Sequence, residues 1–244
     1  MSKIIKTAII LAGGLGTRLR SVVADVPKPM ARINGKPFLW HLIRYWENQG
    51  IEHFVISIGY KGDVIKEYFN DSFGKARIDY VSEEFAQGTG GALLACLSEH
   101  PQNEAIILLN GDSYFPVDLR ALSQSAIAQN ADWCLSLFKT TEKNRYLLLQ
   151  IDAKGNLIRE KDNDAINHNE NIAYANGGVY WLNPMSLIVQ ENFSFPLSLE
   201  NELLENQIRS GKKIVGFQSD SPFIDIGLPA DFILAQDLPF FSKS

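Results

Sequence analysis

Leu11-Ala12-Gly13-Gly14-Leu15-Gly16-Thr17-Arg18-Leu19 closes an apolar run that begins at Thr7, and Pro27-Lys28-Pro29-Met30 follows eight residues later. Three glycines after an apolar strand let backbone N–H groups close on an anion, because glycine tolerates the necessary backbone angles and carries no Cβ to block the approach. Arg18 and Lys28 bring two cations to the same place, and the combination fits a nucleoside triphosphate. Spacing excludes two other owners of such a loop. A Walker loop needs Lys and then Ser or Thr after its last glycine, and no Lys follows Gly16. A dinucleotide loop read from Gly14 places Leu19 where its last glycine belongs. A plain tight turn explains the glycines but not the two cations.

Working outward, apolar runs of four to six residues alternate with helical spacing through the first half of the chain. That order reads as parallel strands joined by crossover helices. Thr7 to Leu11 is the first strand, and Phe38, Leu42 and Tyr45 mark a helix over Pro37 to Gln49 that stops at Gly50. Phe54 to Ile58 is the next strand, followed by a helix over Asp63 to Phe69 and a strand over Ile78 to Val81. Thr89 reads as the cap of a helix running through Leu97. Ala105 to Leu109 is an apolar strand that delivers Asn110-Gly111-Asp112 at its carboxyl end, where open α/β sheets gather their ligands. Beyond Trp133 the pattern changes to strands with polar turns: Trp133 to Phe138, Tyr146 to Gln150, a turn at Asp152-Ala153-Lys154-Gly155, and Leu157 to Arg159. Asn183-Pro184, Ser198 and Pro229 open helices, with a strand over Lys213 to Phe217.

Composition sets the outer limits. The 244 residues suffice for one large domain, and no composition shift or linker divides them. We read residues 1–130 as a nucleotide-binding half and 131–244 as the other half of that single domain. A net charge of −5 with no basic stripe argues against a nucleic-acid partner. No segment approaches the ~18 apolar residues of a membrane span, and the apolar run after Lys3 and Lys6 is too short for an export signal. Cys96 and Cys134 lie far apart in apolar surroundings, as reduced core thiols of a cytoplasmic protein do. His41, His53, His100 and His168 show no metal-ligand spacing and read as structural or surface residues.

Gly-Gly-x-Gly-Thr-Arg-Leu with Pro-Lys-Pro resembles the sugar-phosphate nucleotidyltransferases. The likeness continues in order through Gly88-Thr89-Gly90-Gly91, Asn110-Gly111-Asp112, Glu160-Lys161, Asn176-Gly177-Gly178, Glu200 and Phe223-Ile224-Asp225-Ile226-Gly227, covering nearly all of the chain. Arg20-Ser21-Val22-Val23, Asp25 to Ala31 and Lys36-Pro37-Phe38-Leu39 look most like the D-glycero-α-D-manno-heptose 1-phosphate guanylyltransferase branch. The resemblance implies a Rossmann-like three-layer α/β sandwich with a mostly parallel mixed sheet. It also implies an enzyme that joins a sugar 1-phosphate to a nucleoside triphosphate, GTP in this branch, with Mg²⁺ as cofactor and pyrophosphate released. A homodimer is left open. Mannose 1-phosphate with GTP, or a hexose 1-phosphate with UTP, CTP or dTTP, are the alternatives within that chemistry. Outside it stands a catalytically silent nucleotide-sugar-binding regulatory subunit, against which the presence of Arg18, Lys28, Asp112 and Asp225 argues. A glycosyltransferase of similar fold would want Asp-x-Asp, and Asn110 stands at the first place here.

A sugar 1-phosphate has a second pKa near ~6, so its oxygen is already an anionic nucleophile at neutral pH and no general base is required. The reaction asks instead for charge neutralisation, each close cation offering about 4 kcal/mol at an effective dielectric near 20 and 4 Å. Arg18 is the candidate for the β and γ phosphates. Lys28, fixed between two prolines, is the candidate for the α-phosphate.

Asp112 is either a turn former or a magnesium ligand on its own evidence. The resemblance assigns it to the metal together with Asp225. It likewise assigns Leu11, Ala12, Gly13, Gly14, Gly16, Thr17, Gln87, Gly88, Thr89 and Asp112 to the nucleotide. Gly111, Glu160, Lys161, Asn176, Gly178 and Glu200 fall to the sugar phosphate. Glu160 and Lys161 are adjacent, so a regular strand would send them to opposite faces, and an irregular strand is expected there. Arg32 is read either as a phosphate contact or as a surface residue.

Overall fold

The computed structural model describes residues 5–14, 16, 19, 23, 25–83, 85–142, 145–146, 148–151, 157–159, 173–190 and 193–241. The first half runs β1 (Thr7–Ala12), α1 (Phe38–Asn48), β2 (His53–Ile58), α2 (Gly62–Phe69), β3 (Ala76–Ser82), α3 (Gly88–Glu99), β4 (Ile106–Asn110) and α4 (Leu119–Ala128). The second half runs β5 (Trp133–Thr140), β6 (Leu148–Ile151), β7 (Leu157–Arg159), β8 (Ala173–Leu182), α5 (Leu204–Arg209), β9 (Ile214–Gln218) and α6 (Pro229–Gln236).

A ten-stranded sheet carries the fold, in the order β7-β6-β8-β4-β1-β2-β3 with the short strand Ser72–Phe73 at the far edge; β5 also pairs with β8, and β9 with β5. β4, β1, β2 and β3 are mutually parallel, and β8 enters antiparallel to β4. The parallel strands read as unbroken apolar runs because both of their faces are covered. Ile10, Ile56 and Leu109 point to the side of α1 and α4, packing with Leu42, Trp46 and Leu122. Ile9, Val55 and Leu108 point to the other side, against Leu93 and Cys96 of α3 and Leu203 and Leu204. Truncating such a residue to Ala typically costs about 2–5 kcal/mol, so the two apolar layers hold the three-layer sandwich together. The expected α/β architecture is therefore present, and one sheet passes through both halves of the chain.

Several local expectations are refined. Helix α3 begins at Gly88, with Gln87 as its cap and no side-chain capping bond, whereas the Thr89 hydroxyl accepts from the Leu199 N–H at 2.9 Å. Thr89 thus ties the helix start to the second half of the chain instead of capping it. The strand expected from Tyr146 begins at Leu148. Strand β8 and helix α4 have no counterpart in the sequence reading. The Asn183, Ser198 and Pro229 starts are present, Ser198 accepting from the Asn201 N–H and opening a π-helical turn over Leu199–Leu203 that runs into α5. Cys96 and Cys134 are buried free thiols in separate apolar layers, as the sequence suggested. Desolvation pushes both thiols up to about 12. The turn expected at Asp152 to Gly155 lies outside the described residues.

Candidate active site

β1 and β4 lie side by side in register, Leu11 opposite Asn110, so both chains leave the sheet at the same carboxyl edge. The Gly111 N–H donates to the Leu11 carbonyl at 2.9 Å, and a Cβ at Gly111 would sit 2.7 Å from that oxygen, so glycine is needed for the close approach. Between these two strand ends, the start of α3 and the Lys28 turn lies a cavity of about 400 Å³. That is within the usual size range for a small-ligand pocket. Leu11, Ala12, Gly13, Gly14, Gly16, Lys28, Gly88, Thr89 and Asp112 line it, as the sequence grouped them. Gln87 meets its surroundings through its carbonyl, which accepts from the Leu197 N–H at 2.8 Å, and its side chain is not part of the wall. Thr17, Arg18, Glu160 and Lys161 fall outside the described residues.

The Lys28 ammonium stands at the centre of the charge arrangement. Pro27 is extended at φ −66° and ψ 151°, and Lys28 then opens a short 3-10 turn through Met30. Gly16 packs on it so closely that a Cβ there would lie 3.0 Å from the Lys28 Cβ. Lys28 Nζ lies 2.6 Å from Asp112 Oδ2 and 3.4 Å from Asp225 Oδ1, with the lysine side chain only 9% exposed. Asp225 reaches this place because Ile224–Asp225 pairs antiparallel with Ser113–Tyr114, Asp225 opposite Ser113. The Gly227 N–H donates to Asp225 Oδ1 at 2.6 Å and fixes the carboxylate. Two carboxylates therefore converge on one position faced by a cationic group. Such a donor set also suits a hard divalent ion, which takes one or two carboxylates and completes its shell with water and phosphate oxygens.

Two further wall residues were given no site role by the sequence. Glu83, just past β3, passes beside Gly13, where an added Cβ would lie 1.9 Å from Glu83 Oε1. Ser57 Oγ donates to Glu83 Oε1 at 2.8 Å and the Gln87 N–H to Oε2 at 3.3 Å, aiming the carboxylate along the cavity. Asn110 lines the same wall, and its buried Oδ1 has no hydrogen-bond partner among the described residues. Nothing in the sequence around Glu83 marks it as a pocket residue; its place just past the end of β3 does.

Asn110 leads to a second polar group. Asn176 Nδ2 donates to Tyr180 Oη at 2.6 Å, and Tyr180 donates to Glu200 Oε1 at 2.8 Å. Burial, then the nearby Glu200, holds the Tyr180 phenol far above its ordinary value, so it stays protonated and donates. Gly178, at φ +70°, lies over this group, its Cα so close that a Cβ would fall 2.6 Å from Ser113 Oγ and 2.9 Å from Asn110 Nδ2. The sequence-selected Asn176, Gly178 and Glu200 are thus brought together beside Asn110, whereas Gly111 serves strand packing. Arg32, left open between two readings, is exposed and donates to the Gly35 carbonyl, and it does not line the cavity.

A glycine-lined cavity at the carboxyl edge of a doubly covered sheet, with a lysine between two aspartates, defines a phosphate-handling transferase. The nucleotidyl transferase family model matches residues 7–238, and the chain belongs to that family. It is 41% identical, over 94% of its length and 96% of the relative's, to D-glycero-α-D-manno-heptose 1-phosphate guanylyltransferase of Aneurinibacillus thermoaerophilus. The enzyme of the same name from Campylobacter jejuni is 39% identical over 92% of this chain and 96% of its own. Among solved structures, HddC from Yersinia pseudotuberculosis complexed with GMP-PN superposes with a TM-score of 0.78 at 31% identity, covering 96% of this chain and 99% of that one.

Proposed function

We propose that the protein transfers GMP from GTP to D-glycero-α-D-manno-heptose 1-phosphate, giving the GDP-sugar and pyrophosphate. The observation that carries the chemistry is Lys28 Nζ, 9% exposed, held between Asp112 and Asp225 at the mouth of a glycine-lined cavity. A phosphate oxygen of the sugar attacks the α-phosphorus, a new P–O bond forms, and the bond from the α-phosphorus to the bridging oxygen of the pyrophosphate breaks. Both anions need neutralisation more than proton transfer, and a buried ammonium is worth more at that point than one in water. Lys28 serves the α-phosphate, and Arg18, from its place in the sequence motif, serves the departing pyrophosphate. Asp112 and Asp225 would hold Mg²⁺, which when bound supplies positive charge to the phosphates. The glycines at 13, 14 and 88 admit the nucleotide close to the backbone. The Asn176–Tyr180–Glu200 group and Gly178 face the sugar, a role that Glu160 and Lys161 share from their place in the sequence motif.

Glu83 supports guanine over uracil and thymine. An ionised carboxylate only accepts hydrogen bonds, and its two oxygens have capacity beyond the Ser57 and Gln87 contacts. Guanine presents two adjacent donors, N1–H and N2–H, on one edge, whereas uracil and thymine present a single donor between two carbonyls. The buried free thiols Cys96 and Cys134 suit a reducing cytoplasm. The deciding experiment incubates the protein and Mg²⁺ with GTP, UTP, CTP and dTTP against heptose, mannose and glucose 1-phosphates and follows pyrophosphate release. Highest kcat/KM for GTP with the heptose phosphate is expected. Preference for another pair reassigns the substrate, and nucleotide binding without any pyrophosphate release points to a silent regulatory subunit.

A further inference from the structure

At the edge of the sheet opposite the cavity, three potential metal ligands from three different elements meet. His53 is the first residue of β2, Asp79 lies on β3, and His100 follows the last turn of α3. His53 pairs with Arg77 in the parallel ladder, and Asp79, two residues on, shares that face of the sheet, which is the face α3 covers. His53 Nε2 lies 2.8 Å and His100 Nδ1 3.6 Å from the same oxygen, Asp79 Oδ2. The ligand atoms of all three lie within 4.8 Å of one another. Two ~2.0 Å metal–ligand bonds at a tetrahedral angle hold their ligand atoms about 3.3 Å apart, between the two separations seen here. The three side chains are 19%, 27% and 24% exposed, so solvent reaches the group and a water can complete a fourth position.

We infer that His53, Asp79 and His100 form a second metal site, selective for a late first-row divalent cation such as Zn²⁺. Two imidazoles and one carboxylate suit Zn²⁺, Cu²⁺ or Ni²⁺, whereas Mg²⁺ prefers an all-oxygen shell; the site is thereby chemically distinct from the Asp112–Asp225 pair. The competitor for Asp79 is Arg77, whose guanidinium pairs with Asp79 Oδ2 and approaches His53 Nε2 at 3.3 Å. Its side chain is 64% exposed and can turn into solvent when a divalent charge takes its place. Helix α3 spans about 18 Å between His100 and the Gly88 wall of the cavity, at 1.5 Å per residue. A bound ion would therefore pin the far end of the helix whose start forms the nucleotide pocket, without touching the reacting groups.

The test titrates the full-length protein with Zn²⁺ in excess Mg²⁺ by calorimetry and records visible spectra with Co²⁺. One Zn²⁺ per chain, intense tetrahedral Co²⁺ bands and a raised melting temperature are expected. His100→Ala should weaken Zn²⁺ binding by more than about 100-fold, beyond the loss usually seen for an outer-shell partner. Asp79→Asn, which keeps the side-chain shape, should do the same should His100→Ala not fold. Arg77→Gln should tighten binding, because it removes the competing cation. The double substitution Asp112→Asn/Asp225→Asn should leave the Zn²⁺ affinity unchanged. No Zn²⁺ uptake, uptake insensitive to His100 and Asp79, uptake lost with Asp112 and Asp225, or no gain with Arg77→Gln overturns the assignment.

Discussion

Lys28 and Asp112 form an ion pair of 2.6 Å in which the lysine is almost wholly enclosed and the aspartate is 44% exposed. The asymmetry matters for the reaction. Under the proposed function the exposed aspartate is the partner an ion arriving from solvent would meet, while the enclosed ammonium would stay in the cavity for the α-phosphate. The pair keeps a buried cation neutralised, and on that reading substrate charge would replace the carboxylate.

Lys28→Ala should therefore lower kcat by about 10²–10³, the loss usual for one preorganised electrostatic group, while GTP affinity changes far less. Steady-state kinetics beside calorimetric GTP binding separates the two. Unchanged turnover removes Lys28 from the mechanism.

Asp112→Asn and Asp225→Asn should each abolish most metal-dependent turnover and raise the Mg²⁺ concentration needed for half-activity. Both variants should stay folded, since each keeps the shape of its side chain and neither carboxylate is buried in an apolar layer. Circular dichroism and Mg²⁺ titrations of pyrophosphate release check this, and normal activity at ordinary Mg²⁺ in both variants sinks the metal assignment.

Glu83→Gln exchanges one acceptor of the pocket for a donor. The ratio of kcat/KM for GTP over UTP should fall by about 10–100-fold, the range over which a few kcal/mol of pocket contacts discriminate. A ratio unmoved by the substitution means the base is read by other groups.

Gly178→Ala places a methyl group 2.6 Å from Ser113 Oγ at a φ of +70°. Strain of this kind costs about 1–3 kcal/mol, and it falls on the group that includes Asn110 and Tyr180. A lower melting temperature together with a raised KM for the sugar phosphate is expected; a higher melting temperature contradicts the packing described.

His41 is buried, and its Nε2–H donates to the Ile33 carbonyl at 3.0 Å. Burial, its largest influence, holds the imidazole below the ordinary value of 6.5. The folded state thus binds its proton more weakly than the unfolded chain does. This contribution to stability is full above pH 6.5 and declines as pH falls from there toward the lower folded-state value. Urea unfolding at several pH values should show that decline in the wild type and a smaller one in His41→Gln; equal slopes refute it.

The parts of this structure legible in the sequence are those in which one physical demand dominates. Strands β1, β2 and β4 announce themselves because burial on both faces leaves only apolar residues, and Gly13 to Gly16 with Lys28 because anion binding needs bare backbone beside a cation. Strand β8 hides because Asn176-Gly177-Gly178 breaks its apolar alternation, at the place where its pairing with β5 changes register between Asn176 and Tyr180. Asp225 could be placed beside Asp112 only through resemblance, since the two-residue pairing that joins them is too short to leave a pattern. Glu83 owes its position to a ladder register that no local signal encodes. His53, Asp79 and His100 defeat spacing rules for the same reason, each coming from a different element.

Strand β8 has a mechanical meaning as well. Its carboxyl end, Val179 to Leu182, is laddered to β4, and its amino end, at Ala175 and Tyr174, to β6. One strand is thus stitched into β4 of the first half of the chain and β6 of the second alike. A jaw-like movement between β4 and β6 would have to tear that ladder, so the distance between the two proposed substrate regions would be set by the length of a strand and not by the swing of a joint.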